Sequence, residues 1–278
     1  MKKIGQVIKT LTISFLLLFL AVSVFLIFLQ YKLLYYPHYS SESNSYLARN
    51  SGDELEEVFI DTEFGKCHGW VHKSSEESDT ILFFGGNGQT SDEWFETLNV
   101  RHKWESFGDY NYVMFDYPGY STSDGKPGKN DVLLMADKAY EYVSESKCLG
   151  NKKIYVIGYS IGTGPATYVA SKHDVHKLVL LAPYSNMTDE FNTKINIFYG
   201  PVKILNRNNY ESDKYAENVK NPVLIVASKK DEVIPYRLSE KLKGHFSNVT
   251  FETLDGKSHN DVVSDTKTLE YISDFLSF

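Results

Sequence analysis

Lys153-Ile154-Tyr155-Val156-Ile157-Gly158-Tyr159-Ser160-Ile161-Gly162 decides how this chain is read. A β-branched apolar run ends in Gly-x-Ser-x-Gly, and Thr163 to Lys172 continues as a helix-like segment. A strand that turns this sharply into a helix forces its serine into a strained backbone conformation. The flanking positions then require glycine, because a side chain at either would collide with the neighbouring strand and helix. Ser160 is expected to stand exposed at the end of a sheet. The string alone is weak, since roughly one chain in ten of this size holds one by chance. Its uniqueness here, and its place between a strand and a helix, carry the weight.

Outward from the elbow, the periodicity alternates. Glu57 to Thr62 and Cys67 to His72 read as two strands joined by a turn at Glu63-Phe64-Gly65. A strand over Thr80 to Phe84, a helix within Ser91 to Lys103 and a strand over Tyr112 to Asp116 follow. Val132, Met135, Ala136, Ala139 and Val143 have the spacing of one helix face within Asp131 to Ser144. After the elbow helix come a strand at Lys177 to Leu181, an irregular aromatic stretch to about Lys220 and a strand at Pro222 to Ala227. A helix near Arg237 to Leu242, a strand at Val249 to Leu254 and a last helix into Phe278 complete the domain. Strands this continuously apolar, alternating with helices, predict an α/β fold: a mostly parallel central sheet with helices on both faces.

If Ser160 is a nucleophile on such an elbow, its acid and then its histidine follow it in sequence, each on a loop after a strand. His38, His68, His72 and His102 precede it, and His173 and His176 come before the next strand. His245 lies between a helix and a strand, at the opposite end of the sheet. His259 follows the Val249 to Leu254 strand and is the candidate general base. Asp231 and Glu232 sit in the loop after the Pro222 to Ala227 strand, and Asp231 is the candidate acid. It would accept the Nδ1 proton of His259 and leave Nε2 free to take the Ser160 proton. Asp255, four residues from His259, reads as a turn former beside Gly256. Negative charge on a tetrahedral intermediate also needs donors. Phe84-Gly85-Gly86-Asn87-Gly88 follows a strand and lacks bulk, so the backbone N–H groups of Asn87 and Ile161 are the candidate oxyanion hole. No Gly-Lys-Ser/Thr follows that loop, which argues against a phosphate cradle.

The composition, 42% hydrophobic and 23% charged with a net charge of −7, is that of a globular domain with a large core. A negative chain without a long Lys/Arg run argues against nucleic acid as a partner. Leu11 to Leu29 carries no charge and only three polar residues, Thr12, Ser14 and Ser23. As a helix it extends about 28 Å, close to the hydrocarbon thickness of a bilayer. A cleaved signal peptide competes, with Ala21-Val22-Ser23 as its site. The apolar run continues past that site to Leu29, which favours an uncleaved signal anchor. Lys2, Lys3 and Lys9 before the span, against Lys32 and Arg49 after it, put the N-terminus in the cytoplasm and the domain on the other side: periplasmic, extracellular or lumenal. The predicted organisation is a basic leader over 1–10, a transmembrane anchor over 11–29, a connector over 30–55 and a catalytic domain over 56–278. Cys67 and Cys148 lack the spacing of a metal site or a redox pair.

Together these features resemble the α/β-hydrolase superfamily, in particular its membrane-anchored single-domain subgroup, from about Tyr31 onward. Leu33-Leu34-Tyr35-Tyr36-Pro37 is similar to that subgroup's segment after the anchor. Phe115-Asp116-Tyr117-Pro118-Gly119-Tyr120-Ser121-Thr122-Ser123-Asp124-Gly125, Leu181-Ala182-Pro183-Tyr184 and Asp231-Glu232-Val233-Ile234-Pro235 also match, and Gly85 to Gly88 resembles the Gly-rich loop of lipases and esterases. Two positions depart from the pattern: Gly85 stands where histidine is frequent, and Ser121 where glycine is usual. The resemblance implies hydrolysis of acyl esters, thioesters or amides without a metal or organic cofactor. Members include esterases, lysophospholipases, protein depalmitoylases and peptidases, and fold alone does not choose among them. A cap over Pro183 to Lys220, with Phe191, Ile195, Ile197, Phe198 and Tyr199, suits a lipid-like acyl substrate. The alternatives are a serine peptidase of the same fold, or a catalytically silent binding protein tethered to the membrane.

Overall fold

The computed structural model describes residues 2–39, 47, 55–100, 109–149 and 152–277. Most of the expected connector, at 40–46 and 48–54, and the end of the helix expected to reach Lys103, at 101–103, lie outside these residues. Helix α1 runs without interruption over Lys2–Leu34, five residues beyond the apolar run. It is long and apolar enough to cross a membrane.

Eight strands form one sheet: β1 (Leu55–Thr62), β2 (Gly65–His72), β3 (Thr80–Phe84), β4 (Asn111–Phe115), β5 (Ile154–Tyr159), β6 (Lys177–Leu181), β7 (Val223–Ser228) and β8 (Val249–Leu254). Their order is β1-β2-β4-β3-β5-β6-β7-β8. The hairpin β1-β2 and the pair β2-β4 are antiparallel. Every other pair is parallel. β3, β4, β5, β6 and β7 are buried at every residue, which is why they read as unbroken apolar runs rather than alternating ones.

Alternate strand residues feed two cores. Leu82 and Val156 face one side, with Met135, Ala139 and Val143 of α3 (Lys129–Glu145), Val169 of α4 (Thr163–Lys172) and Leu242 of α7 (Tyr236–Lys243). Ile81, Phe83 and Ile157 face the other, with Phe95 of α2 (Ser91–Val100) and Ile272 and Leu276 of α8 (Thr266–Ser277).

The segment between β6 and β7 is more ordered than expected. It holds α5 (Met187–Lys194), a 3₁₀ turn over Gly200–Leu205 and α6 (Ser212–Ala216). Asn186 starts α5 by accepting the backbone N–H of Asp189 on its side chain. These elements are short and their sequence is mostly polar, so periodicity gives no signal for them.

Candidate active site

Ser160 has φ +55°, a left-handed conformation that non-glycine residues rarely adopt. The turn is closed by its neighbours. A Cβ on Gly158 would come within 2.6 Å of both the Ala166 Cβ and the Gly162 carbonyl oxygen. The turn leads directly into α4, whose first residue, Thr163, donates its hydroxyl to the Ser160 carbonyl at 2.7 Å. Ser160 is thus presented beside the N-terminus of a helix, where backbone N–H groups favour negative charge.

Two loops converge on it. The loop after β7 carries Asp231 and the loop after β8 carries His259, and Ser228 Oγ ties them by donating to the Lys257 carbonyl at 2.5 Å. His259 Nδ1 donates to Asp231 Oδ2 at 2.7 Å, and His259 Nε2 lies 2.9 Å from Ser160 Oγ. The other Asp231 oxygen accepts the backbone N–H groups of Val233 and Ile234 at 2.9 and 2.7 Å, so the carboxylate has little freedom to turn. Glu232 accepts the backbone N–H of His259 at 3.1 Å. Tyr159 stacks on the imidazole with ring centroids 5.4 Å apart and donates its hydroxyl to the His259 carbonyl. Asp255 is exposed and pairs with Lys229, while His245 pairs with Glu217.

Asn87 and Ile161 border the same cavity as Ser160. The Asn87 side chain accepts the Tyr36 backbone N–H at 3.0 Å and the Tyr120 hydroxyl at 2.9 Å. Its predecessor, Gly86, gives its own N–H to Gln89 at 2.7 Å. That leaves Gly86 engaged elsewhere and Asn87 as the next amide along the loop.

Ser160 stands between two hollows. One, of about 380 Å³, is lined by Leu33, Leu34, Ile161, Met187, Phe191 and Ile195 among others. Its lining is mainly apolar, with Asn87, Glu190 and Lys194 as polar members beside Ser160. The other, of about 300 Å³, is bordered by Gln89, His259 and Asn260 and is more polar. Of the aromatics expected in the cap, Phe191 reaches the apolar cavity, Phe198 packs behind it with ring centroids 5.6 Å apart, and Tyr199 is exposed.

Sequence reasoning missed three contributors. Leu33 and Leu34 belong to α1. Glu190 borders the apolar cavity with its side chain only 12% exposed and one carboxylate oxygen unpartnered. Burial, reinforced by the Asp231 charge and opposed by Lys194 and Arg237, pushes the Glu190 carboxyl up from 4.5 to about 7. No local pattern marks these residues; the nearest signals are the Leu33-Leu34-Tyr35-Tyr36-Pro37 run and the Asn186 cap that sets the phase of α5.

His68 belongs to a separate buried network. Its Nδ1 donates to Asp116 at 2.6 Å, and Asp116 also accepts the N–H and hydroxyl of Ser91. Asp92 accepts from Trp70 Nε1 at 2.8 Å and from Ser121 Oγ at 2.5 Å. These bonds join β2, the start of α2 and the loop after β4. The carboxylates here are engaged by protein donors.

A family model described as the alpha/beta hydrolase fold matches residues 79–208. The Pyrococcus furiosus esterase Pf2001 superimposes with a TM-score of 0.67 at 16% identity, over 88% of this chain and 98% of that one. The chain has the α/β-hydrolase fold. Sequence relatives include the zebrafish (Danio rerio) lysophosphatidylserine lipase ABHD12, 26% identical over 237 residues. That match takes in 74% of this chain and 60% of the lipase, so the chain spans less than two thirds of that relative's length. Another is the Xenopus tropicalis alpha/beta hydrolase domain-containing protein 17C, 25% identical over 86% of this chain and 76% of its own length.

Proposed function

We propose that this chain is a membrane-tethered serine hydrolase that cleaves acyl esters or thioesters of lipid-like substrates through an acyl-enzyme. One observation carries the reading: the Ser160, His259 and Asp231 side chains are linked at 2.9 and 2.7 Å, and the serine borders an apolar cavity of about 380 Å³. Cavities of this size suit small ligands.

In the proposed reaction Ser160 Oγ attacks the acyl carbonyl as its proton passes to His259 Nε2, and Asp231 holds the ring and stabilises the imidazolium. The backbone N–H groups of Ile161 and Asn87 receive the oxyanion, where one donor is worth about 2.7–4 kcal/mol. His259 then protonates the leaving group on the side of the polar hollow. Water, deprotonated by the same imidazole, releases the acid from Ser160. The acyl chain occupies the apolar cavity beneath the cap at 183–220.

The lipase among the relatives is consistent with a lipid-like substrate. The anchor reading rests on the length and apolarity of α1. The lysines before the span orient the catalytic domain to the non-cytoplasmic side. The test is hydrolysis of p-nitrophenyl esters of increasing chain length by the full chain in detergent. Release of nitrophenol that disappears in Ser160→Ala supports the reading, and retention of normal turnover in Ser160→Ala overturns it.

A further inference from the structure

We infer, on the reading of Ser160 as nucleophile, that the anchor helix is part of the substrate site: its last turn is a wall of the acyl cavity, and a single-chain acyl ester enters that cavity sideways from the bilayer leaflet.

Leu33 and Leu34, the final residues of α1, border the cavity that Ser160 and Ile161 also border. Their position is fixed from both sides. Gln30, 1% exposed, donates through Nε2 to the Leu205 carbonyl at 2.6 Å and accepts the Arg207 backbone N–H at 2.9 Å. The Tyr35 hydroxyl meets the Tyr210 hydroxyl at 2.8 Å, and the Tyr36 N–H reaches Asn87 Oδ1 at 3.0 Å. A helix serving only as a tether needs none of these bonds. They lock its end against the cap and against the loop proposed to receive the oxyanion.

The level of this wall matches the substrate. The apolar run ends at Leu29, and four further residues of helix place Leu33 about 6 Å beyond it. A bilayer's polar zone is roughly 5–7 Å thick on each side of its hydrocarbon, and lipid ester groups lie there. Tyr31, Tyr36 and Tyr39, each at least 40% exposed, cluster in sequence around this end of the anchor, the residue type enriched where a span meets the interface. The cap turn bonded to Gln30 presents Ile204 at 77% exposure, and Tyr199, which precedes that turn, is 54% exposed. Large apolar groups so placed are suited to the leaflet surface rather than to water. At about 30 Å³ per water-sized group, the cavity of about 380 Å³ has room for on the order of a dozen methylenes, the size of one medium-length acyl chain.

The test uses the full chain in vesicles of diether phosphatidylcholine, which offers no ester to hydrolyse, with p-nitrophenyl laurate as the leaflet-resident probe and p-nitrophenyl acetate as the water-soluble one. Leu33→Trp should lower the laurate-to-acetate ratio of kcat/KM at least tenfold, and Leu33→Ala should move the optimum to longer chains. Ile204→Asp, at an exposed position, should lower the same ratio about fivefold in vesicles. Ratios equal to wild type in all three variants, with fluorophosphonate still labelling Ser160, overturn the wall and the lateral entry alone. A wild-type chain that neither labels nor cleaves acetate overturns the nucleophile reading, and this inference with it.

Discussion

Gly162 and Phe84 touch backbone to backbone: a Cβ on Gly162 would lie 2.2 Å from the Phe84 carbonyl oxygen and 2.5 Å from that of Gly85. The elbow is therefore wedged against the end of β3, at the start of the loop that carries Asn87. Gly162→Ala should push these apart. We expect a loss of about 1–3 kcal/mol of stability, as for other overpacked sites, together with a fall in kcat per folded molecule. Denaturation and active-site titration of the same sample separate the two effects. Unchanged stability and kcat would contradict the packing argument.

Ser160, His259 and Asp231 should behave as one unit. Ser160→Ala and His259→Ala are each expected to lower kcat roughly 10⁴-fold or more, and the double variant should lose little beyond either single one. Asp231→Asn should be damaging but less complete. Additive losses in the double variant would mean the two side chains act independently.

Glu190 gives a pH-dependent prediction. Burial holds its folded carboxyl at about 7 against an ordinary 4.5. Between those values the folded chain keeps a proton that the unfolded chain releases, so stability falls as pH rises through that window. Glu190→Gln removes the penalty. It should stabilise the protein above about pH 7, by at most about 3 kcal/mol, and change little near pH 4.5. Melting temperatures measured across this range check it, and an equal effect at both ends would contradict it.

His68 should show the opposite sign. Burial opposes its charge, but the Asp116 hydrogen bond and the charges of Asp116, Asp92 and Glu57 raise its proton affinity above the ordinary value. The resulting stabilisation is fully present below the unfolded value of about 6.5 and is lost as pH rises through the raised folded value. His68→Gln should cost about 3–5 kcal/mol near pH 6, because it removes the cationic partner of buried Asp116 and leaves it only the Ser91 donors. The deficit should shrink at alkaline pH, above the raised folded value. Denaturant unfolding at both pH values measures it, and a constant deficit would place its origin in packing.

Most of the sheet and the proposed site residues could be read from the chain because their signals are local. β3, β6 and β8 fall on the expected residues: β3 and β6 as apolar runs flanked by turns, and β8 through the alternation of Val249 and Phe251 with Thr250 and Glu252. Chain order alone singles out Asp231 and His259, which the structure brings within hydrogen-bond reach of each other and of Ser160. What lay beyond reading is tertiary. Tyr31-Lys32-Leu33-Leu34 continues α1 because Gln30 and Tyr35 find partners 175 or more residues away, at Leu205 and Tyr210. Glu190 faces the cavity because Asn186 sets the phase of a helix whose composition does not declare it. The antiparallel β2-β4 pairing follows from strand order, which apolar pattern does not encode.

The central claim is that Ser160 is an activated nucleophile. Reaction of the full chain in detergent with a fluorophosphonate, followed by peptide mapping, tests it most directly. A single phosphonyl adduct is expected on the peptide bearing Ser160, abolished in Ser160→Ala and strongly slowed in His259→Ala. Labelling that persists in Ser160→Ala, or an absence of any adduct on the folded wild-type chain, would contradict it.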